Sequence, residues 1–199
     1  MRIKSGKGYP EVIVIMGIAG SGKGTQGKQL SERYKLKYLS TGEILREHAT
    51  PAISEKLQSG KLLDDQEIIE LVNSQISLST DPSLTLLDGF PRSIPQAEWL
   101  YRQYQSGRIK LPIIIKLNVS QDEAKRRLLL RGRGDDVPDT IEQRFQEYHD
   151  STLPILTYFS KNNFPVIEID ATQPADVVYN LIVTKLRESS YGTGSANQS

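Results

Sequence analysis

The 199-residue chain has no cysteine, and only two histidines, two methionines and one tryptophan. Disulfides and thiolate zinc sites are thereby excluded, and the composition is compatible with a reducing compartment. No charge sign dominates: 25 basic residues stand against 24 acidic ones, which gives no bulk attraction to nucleic acid or to an anionic membrane. Long apolar runs are missing too. Residues 1–10 are basic without an apolar segment of signal-peptide length, and the apolar run after them is far short of the ~20 residues a bilayer span needs. The expectation is a soluble, cytoplasmic protein of one domain. Nothing supports a hydrolytic nucleophile: no Gly-x-Ser-x-Gly elbow occurs, and His48 and His149 have no evident partners and read as surface or packing residues.

What the chain does have begins at residues 11–25, EVIVIMGIAGSGKGT. The β-branched run Val12, Ile13, Val14, Ile15 reads as a strand buried on both faces, the habit of a parallel sheet. Behind it come Gly17, Gly20, Gly22 and Gly24 with Lys23, in the Gly-x-x-x-x-Gly-Lys spacing of a phosphate-binding P-loop. Gly24 stands where that pattern has serine or threonine, and Thr25 follows one place later. Glycines let the backbone curl around an anion with its N–H groups inward. A helix starting near Lys23 adds its positive dipole end, and the lysine adds a full charge. The plain alternative is a glycine-rich strand-to-helix turn, which the strand before it and the helical run 26–34 after it make the weaker reading. Ser5-Gly6-Lys7-Gly8 repeats Ser21-Gly22-Lys23-Gly24. With no strand before it and Tyr9-Pro10 behind it, that copy reads as a flexible lead.

Apolar β-type runs recur at residues 38–39, 84–87, 113–119 and 166–169. Helical patterns lie between and after them: 64–77 with acids at its start, 94–105 with Trp99, Leu100 and Tyr104 on a core face, and 174–188. A capping box of Ser120 and Glu123 opens a further, basic helix to Arg131. Strands alternating with helices predict an α/β fold: a doubly wound, five-stranded parallel sheet with helices on both faces. Such a fold suits a monomer. Two stretches interrupt the alternation, residues 41–72 with a helical segment at 51–58, and residues 131–144, RGRGDDVPDTIEQR. Both are predicted to be small inserts over the carboxyl edge of the sheet, where ligands bind in open α/β folds. The core then comprises 11–40, 73–130 and 145–188, and the tail 189–199, without periodicity, is predicted to be disordered.

Asp88-Gly89-Phe90-Pro91-Arg92 closes the third β-type run. An aspartate at the carboxyl end of a buried strand beside a P-loop is well placed to hold Mg²⁺, directly or through water. Taken alone, Asp88 would serve equally well as a turn residue before Gly89. Arg92 would sit near the phosphates as a fixed planar donor. Arg126, Arg127, Arg131, Arg133 and Arg144 then crowd into residues 126–144. Phosphoryl transfer spreads negative charge over equatorial oxygens, which arginine clamps stabilise. Arg126 is read instead as part of a solvated helix face. A nucleic-acid patch is the weaker alternative for the cluster, because no base-stacking aromatics are interleaved; Trp99 is read as core.

With these motifs assembled, the chain closely resembles the adenylate kinases over residues 11–188. The likeness rests on GIAGSGKGTQ (17–26), LSTGEILR (39–46), GKLL (60–63), DGFPRSIPQ (88–96), and Arg131-Gly132-Arg133 with Asp135, Asp136 and Arg144. Gly-Lys-Gly-Thr is the form of the loop that nucleoside monophosphate kinases use. The resemblance implies reversible, Mg²⁺-dependent phosphoryl transfer from ATP to AMP giving two ADP. Gly20, Ser21, Gly22, Lys23, Gly24 and Thr25 would hold the ATP phosphates, Arg127 would lie against the ATP adenine, and backbone near Gln173 would read its amino group. Thr41, Gly42, Arg46, Leu63, Gly89, Arg92 and Gln96 would hold AMP, with Arg46 and Arg92 on its phosphate and Gln96 on the adenine edge. Arg131, Arg133 and Arg144 would close on the transferring phosphoryl, the last two also reaching AMP, and Asp88 would hold the metal, through water.

Within that resemblance Thr41 and Gln96 favour adenine over a pyrimidine. Residues 41–72 become the AMP-binding insert and 131–144 a short lid. There are departures: Ala19 replaces the usual proline of the loop, the segment from Arg46 to Gly60 is shorter than usual, and the lid is too short for the zinc-bearing insertion of some relatives. No protein base is expected, because a phosphomonoester loses its second proton near pH ~6 and AMP already carries a nucleophilic oxyanion. Rival readings are a kinase of the same fold acting on another nucleoside monophosphate, and a nucleotide-binding regulator that has lost transfer.

Overall fold

The structure is a computed structural model that describes residues 10–42, 44, 63–77, 84–134 and 136–189. The lead 1–9, the predicted helix 51–58, Glu43, Arg46, His48, Asp135 and the tail from 190 lie outside the described residues.

The β-branched run after Pro10 forms β1 (Glu11–Met16), buried along its whole length. The glycine-rich loop leads into α1 (Lys23–Tyr34), and β2 (Lys37–Ser40) follows. Next come α2 (Asp65–Ser77), β3 (Thr85–Asp88), α3 (Ile94–Gln105) and β4 (Lys110–Asn118). The chain continues through α4 (Gln121–Arg131), α5 (Pro138–Glu147), α6 (Leu153–Lys161), β5 (Val166–Asp170) and α7 (Ala175–Ser189). The strands make one five-stranded sheet in the order β2-β3-β1-β4-β5, with every pairing parallel. This is the doubly wound α/β fold that the alternation predicts.

Strand periodicity sorts the core into two layers. Val12, Val14 and Met16 face Ile69, Val72 and Ile76 of α2, Ala97 and Leu100 of α3, and Ile155 and Phe159 of α6. Ile13 and Ile15 face the other way, onto Leu30 of α1 and Val178, Ile182 and Leu186 of α7. Val14 pairs with Leu87 on one side and Ile114 on the other, all fully buried. Each such side chain contributes roughly 1.5–3 kcal/mol by leaving water, which is what pins the central strand and hence the loop at its end.

A small third cluster, Ile18, Ala124, Leu128, Ile141 and Phe145, packs α4 and α5 over that loop. The sequence reading drew 131–144 as an insert and no helix at 153–161; in the structure α5 already begins at Pro138, placed in its first turn. A single π-helical turn, Tyr148–Thr152, joins α5 to α6, with Leu153 N–H donating to Tyr148 O. Pro154 explains it: a proline has no N–H and its ring crowds the carbonyl four residues earlier, so the widened turn just ahead absorbs the mismatch.

From β1 the chain builds outward to β3 and β2 on one side and to β4 and β5 on the other. The crevice at the carboxyl end of β1 is where such a sheet binds ligands. Among the described residues no helix is long and apolar enough to cross a membrane.

Candidate active site

A cleft of about 1280 Å³ opens at that point, lined by the P-loop, Asp88, Arg92, the arginines of α4 and α5, and the loop after β5. Gly22 precedes α1 with a φ of 96°, in the left-handed region that favours glycine. No side chain caps the helix. The first-turn N–H groups of α1 therefore have no acceptor from a capping side chain, which is the arrangement that attracts an anion. Lys23 folds back on the loop, its Nζ donating to Gly17 O at 2.7 Å and Ile18 O at 3.0 Å. Burial pushes its pKa below the usual lysine value, against the carboxylate of Asp88, which raises it; Arg92 and Arg131 lower it further. Gly20, Ser21, Gly22, Gly24 and Thr25 line the same cleft.

Asp88 ends β3, its Oδ2 accepting from the Tyr38 hydroxyl at 2.6 Å. Among the described residues no group of three or more His, Asp or Glu could hold a metal. One strand-end carboxylate facing an anion-binding loop is a donor set that fits Mg²⁺ arriving with a nucleotide, since that ion keeps most of its waters and takes phosphate oxygens for the rest.

The arginines fall into two groups. Arg127 Nε donates to Glu123 Oε1 at 2.7 Å, and its other nitrogens to the carbonyls of Ala171 (2.8 Å) and Thr172 (3.1 Å). This ties α4 to the loop that carries Gln173, whose side chain is exposed. Arg131, Arg133 and Arg144 gather around Asp136. Arg131 donates twice to its carboxylate (2.8 and 2.6 Å), Arg144 once (3.2 Å), and the backbone N–H of Arg133 once (3.3 Å). The Arg131 guanidinium above all holds the Asp136 carboxyl at about 2, well below the usual carboxylate range. Arg126, read as solvated, is indeed exposed and bound bidentately to Glu123, yet it also lines the cleft.

On the β3 side, Thr41 is buried and donates to Gly89 O at 2.8 Å. Arg92 Nε binds the same carbonyl at 2.8 Å. Gln96 is buried with both ends of its amide engaged: Oε1 accepts from Arg92 N–H at 2.8 Å and Nε2 donates to Asp65 at 2.8 Å. Each end keeps one further bonding position for a ligand, since an amide oxygen has two lone pairs and an amide nitrogen two hydrogens. Gly42 lines the cleft, whereas Thr41, Leu63 and Gln96 do not. Arg46 lies outside the described residues.

Some expectations change. Ser120 does accept from Glu123 N–H at 3.3 Å, but the Glu123 carboxylate turns to Arg126 and Arg127 instead of completing a reciprocal box, because two guanidiniums outcompete one backbone amide. His149 is exposed but not alone: its Nε2 lies 2.8 Å from Gln121 Nε2. Trp99 packs edge-on against Phe90, ring centroids 5.8 Å apart, as a core residue. Sequence reasoning missed Tyr38, Asp65 and Glu123 as supports of the site and named Asp136 without a role. An acid amid three arginines was the one local signal.

A sequence model of the adenylate kinase family matches residues 15–164. The chain is similar to the adenylate kinase of Trichodesmium erythraeum, 34% identical over 181 residues that span 85% of this chain and 94% of that protein. It is 32% identical over 173 residues to that of Mycolicibacterium paratuberculosis, spanning 84% and 94%. Against that of Porphyromonas gingivalis the identity is 35% over 161 residues, spanning 76% and 83%. With the phosphate loop, the strand-end aspartate and the arginine cluster gathered on one cleft, the chain belongs to the adenylate kinase family.

Proposed function

We propose that the protein catalyses Mg²⁺-dependent, reversible phosphoryl transfer from ATP to AMP, giving two ADP. The observation that carries this reading is that Lys23, Asp88, Arg92, Arg131, Arg133 and Arg144 line one cleft of about 1280 Å³. A pocket for a single ligand runs to roughly 300–1,000 Å³, so this one has room for a donor and an acceptor together.

ATP is assigned to Gly20, Ser21, Gly22, Lys23, Gly24, Thr25, Arg127, Arg131 and Gln173. AMP is assigned to Thr41, Gly42, Arg46, Leu63, Gly89, Arg92 and Gln96, within the insert 41–72, the loop after β3 and the first turn of α3. Arg133 and Arg144 take the transferring group, from the short lid 131–144. Asp88 would be the protein-side partner of Mg²⁺ arriving with the nucleotide, and the ion would supply neutralisation of phosphate charge. The protein's own share is positioning and electrostatics. The α1 amides and Lys23 hold the donor phosphates, Arg92 holds the acceptor, and Arg133 and Arg144 meet the charge that develops between them. No protein base is required, because the acceptor is already an oxyanion at neutral pH. The proposed setting is the cytoplasm, and the proposed state a monomer.

Incubation with MgATP and, separately, AMP, UMP, CMP and GMP, followed by assay of diphosphates, tests the reading. ADP formed rapidly with AMP and slowly or not at all with the others is expected. Equal rates with a pyrimidine monophosphate would overturn it.

A further inference from the structure

We propose that Tyr38 is a positioning residue for the Asp88 carboxylate, and that Gly27 is what lets it reach. The inference rests on the reading of Asp88 as the metal's protein-side partner. Tyr38 lies on β2 opposite Leu86 of β3, and Asp88 lies two residues further along, opposite Ser40. Alternate strand residues share a face, so Tyr38 and Asp88 are diagonal neighbours, a spacing that an aromatic side chain spans. The phenol does span it: Oη donates to Asp88 Oδ2 at 2.6 Å, the length of a charge-assisted bond from a hydroxyl to a carboxylate.

The ring gains this route from α1. A Cβ at Gly27 would collide with Cε2 of Tyr38, lie 2.8 Å from Cδ2 and 3.0 Å from Cζ, while one at Gly24 would lie 3.8 Å from the hydroxyl. The ring therefore rests directly on the helix backbone, sandwiched between α1 and the sheet. Glycine inside a helix is otherwise unfavourable, and here the missing side chain is filled by the tyrosine. Tyr38, Asp88 and Gly24 all line the cleft.

The consequence is chemical. An ionised carboxylate offers about four acceptor positions. The phenol takes one and fixes the orientation of the rest before any ligand arrives. Partners of this kind, one bond removed from a metal, orient the groups that meet it, and their loss typically lowers metal affinity by about 10–100-fold.

The test compares ATP affinity by calorimetry in excess Mg²⁺ and in EDTA, without AMP, for the parent, Tyr38→Phe, Asp88→Asn, the double variant and Gly27→Ala. Thermal melting verifies that each is folded. Tyr38→Phe keeps the ring and its packing. It is expected to leave metal-free ATP affinity within about twofold while cutting the Mg²⁺-dependent gain by about tenfold, with the double variant no worse than Asp88→Asn alone. A purely structural tyrosine would move both affinities together or neither. Loss of the gain in Asp88→Asn but not in Tyr38→Phe overturns the inference alone. An undiminished gain in Asp88→Asn overturns it together with the reading it rests on. Gly27→Ala should shift the gain in the same direction by displacing the ring, and an unchanged gain there would overturn the role given to Gly27.

Discussion

Arg144 donates to Asp136 across 3.2 Å, onto the oxygen that also takes the shorter, 2.6 Å bond from Arg131. The Asp136 side chain is wholly buried, whereas Arg131 and Arg144 keep 38% and 27% of theirs exposed. One buried carboxylate thus sets the spacing of two guanidiniums that would otherwise repel each other. Charge aimed at the cleft is organised before any substrate binds, which is what makes such charge effective in a transition state.

Arg133→Ala and Arg144→Ala should each lower kcat by on the order of 10²-fold or more, as removal of an arginine finger does. Loss of an interaction made only in the transition state lowers kcat and kcat/KM together, so KM for AMP should move little. Steady-state kinetics decides it: a kcat within a few-fold of the parent would leave both arginines without a part in the transfer step.

Asp136→Asn should make stability less dependent on acid. The Asp136 carboxyl sits at about 2, against an ordinary value of 3.8. A depressed carboxylate stabilises the fold fully above its unfolded value, and that stabilisation drains away as pH falls from about 3.8 to about 2. The parent should therefore melt well above the variant at neutral pH, by about 1–3 kcal/mol for charged hydrogen bonds lost. The gap should narrow towards pH 2. Melting curves of both proteins between pH 2 and 7 check this, and a constant gap would mean that Asp136 is not the titrating group.

Lys23→Met should leave the fold intact and nearly abolish phosphoryl transfer, by about 10²-fold or more in kcat. The two bonds it removes, to Gly17 O and Ile18 O, close the loop locally without crossing the core. A folded variant with near-normal turnover would show that the loop does not hold the donor phosphates.

Gln96→Ala should raise KM for AMP and erode its advantage over other monophosphates. A hydrogen-bonding mismatch at a buried base edge is worth about 1–3 kcal/mol, which is roughly 5–150-fold in kcat/KM. The comparison to make is kcat/KM for AMP against GMP and CMP in both proteins. Unaltered preference would leave Gln96 only its bonds to Asp65 and Arg92.

Much of the frame was legible because its causes are local. The β-branched run before Gly17 has nowhere to go but a sheet buried on both faces, and β1 is buried throughout. Ser93 followed by Pro95 marks the start of α3, whose bounds, Ile94–Gln105, match the reading. The start of α1 near Lys23 was legible as well, and the helix runs from Lys23 although Gly24 and Gly27 argue against a helix by propensity. Packing against Tyr38 overrides the local preference there.

The sequence by itself determined the sheet's strands, the anion-binding loop and the family, since each is written in neighbouring residues whose spacing has a direct physical meaning. Only the tertiary structure decided which groups support the site. Tyr38 meets Asp88 from 50 residues away, and Gln96 meets Asp65 from 31. Arg127 reaches the carbonyls after β5 from 44 and 45 residues away. Such pairs leave no periodicity in the chain. They exist because parallel strands in register and helices packed on both faces carry distant residues to one edge of the sheet, and only there does each donor find its acceptor.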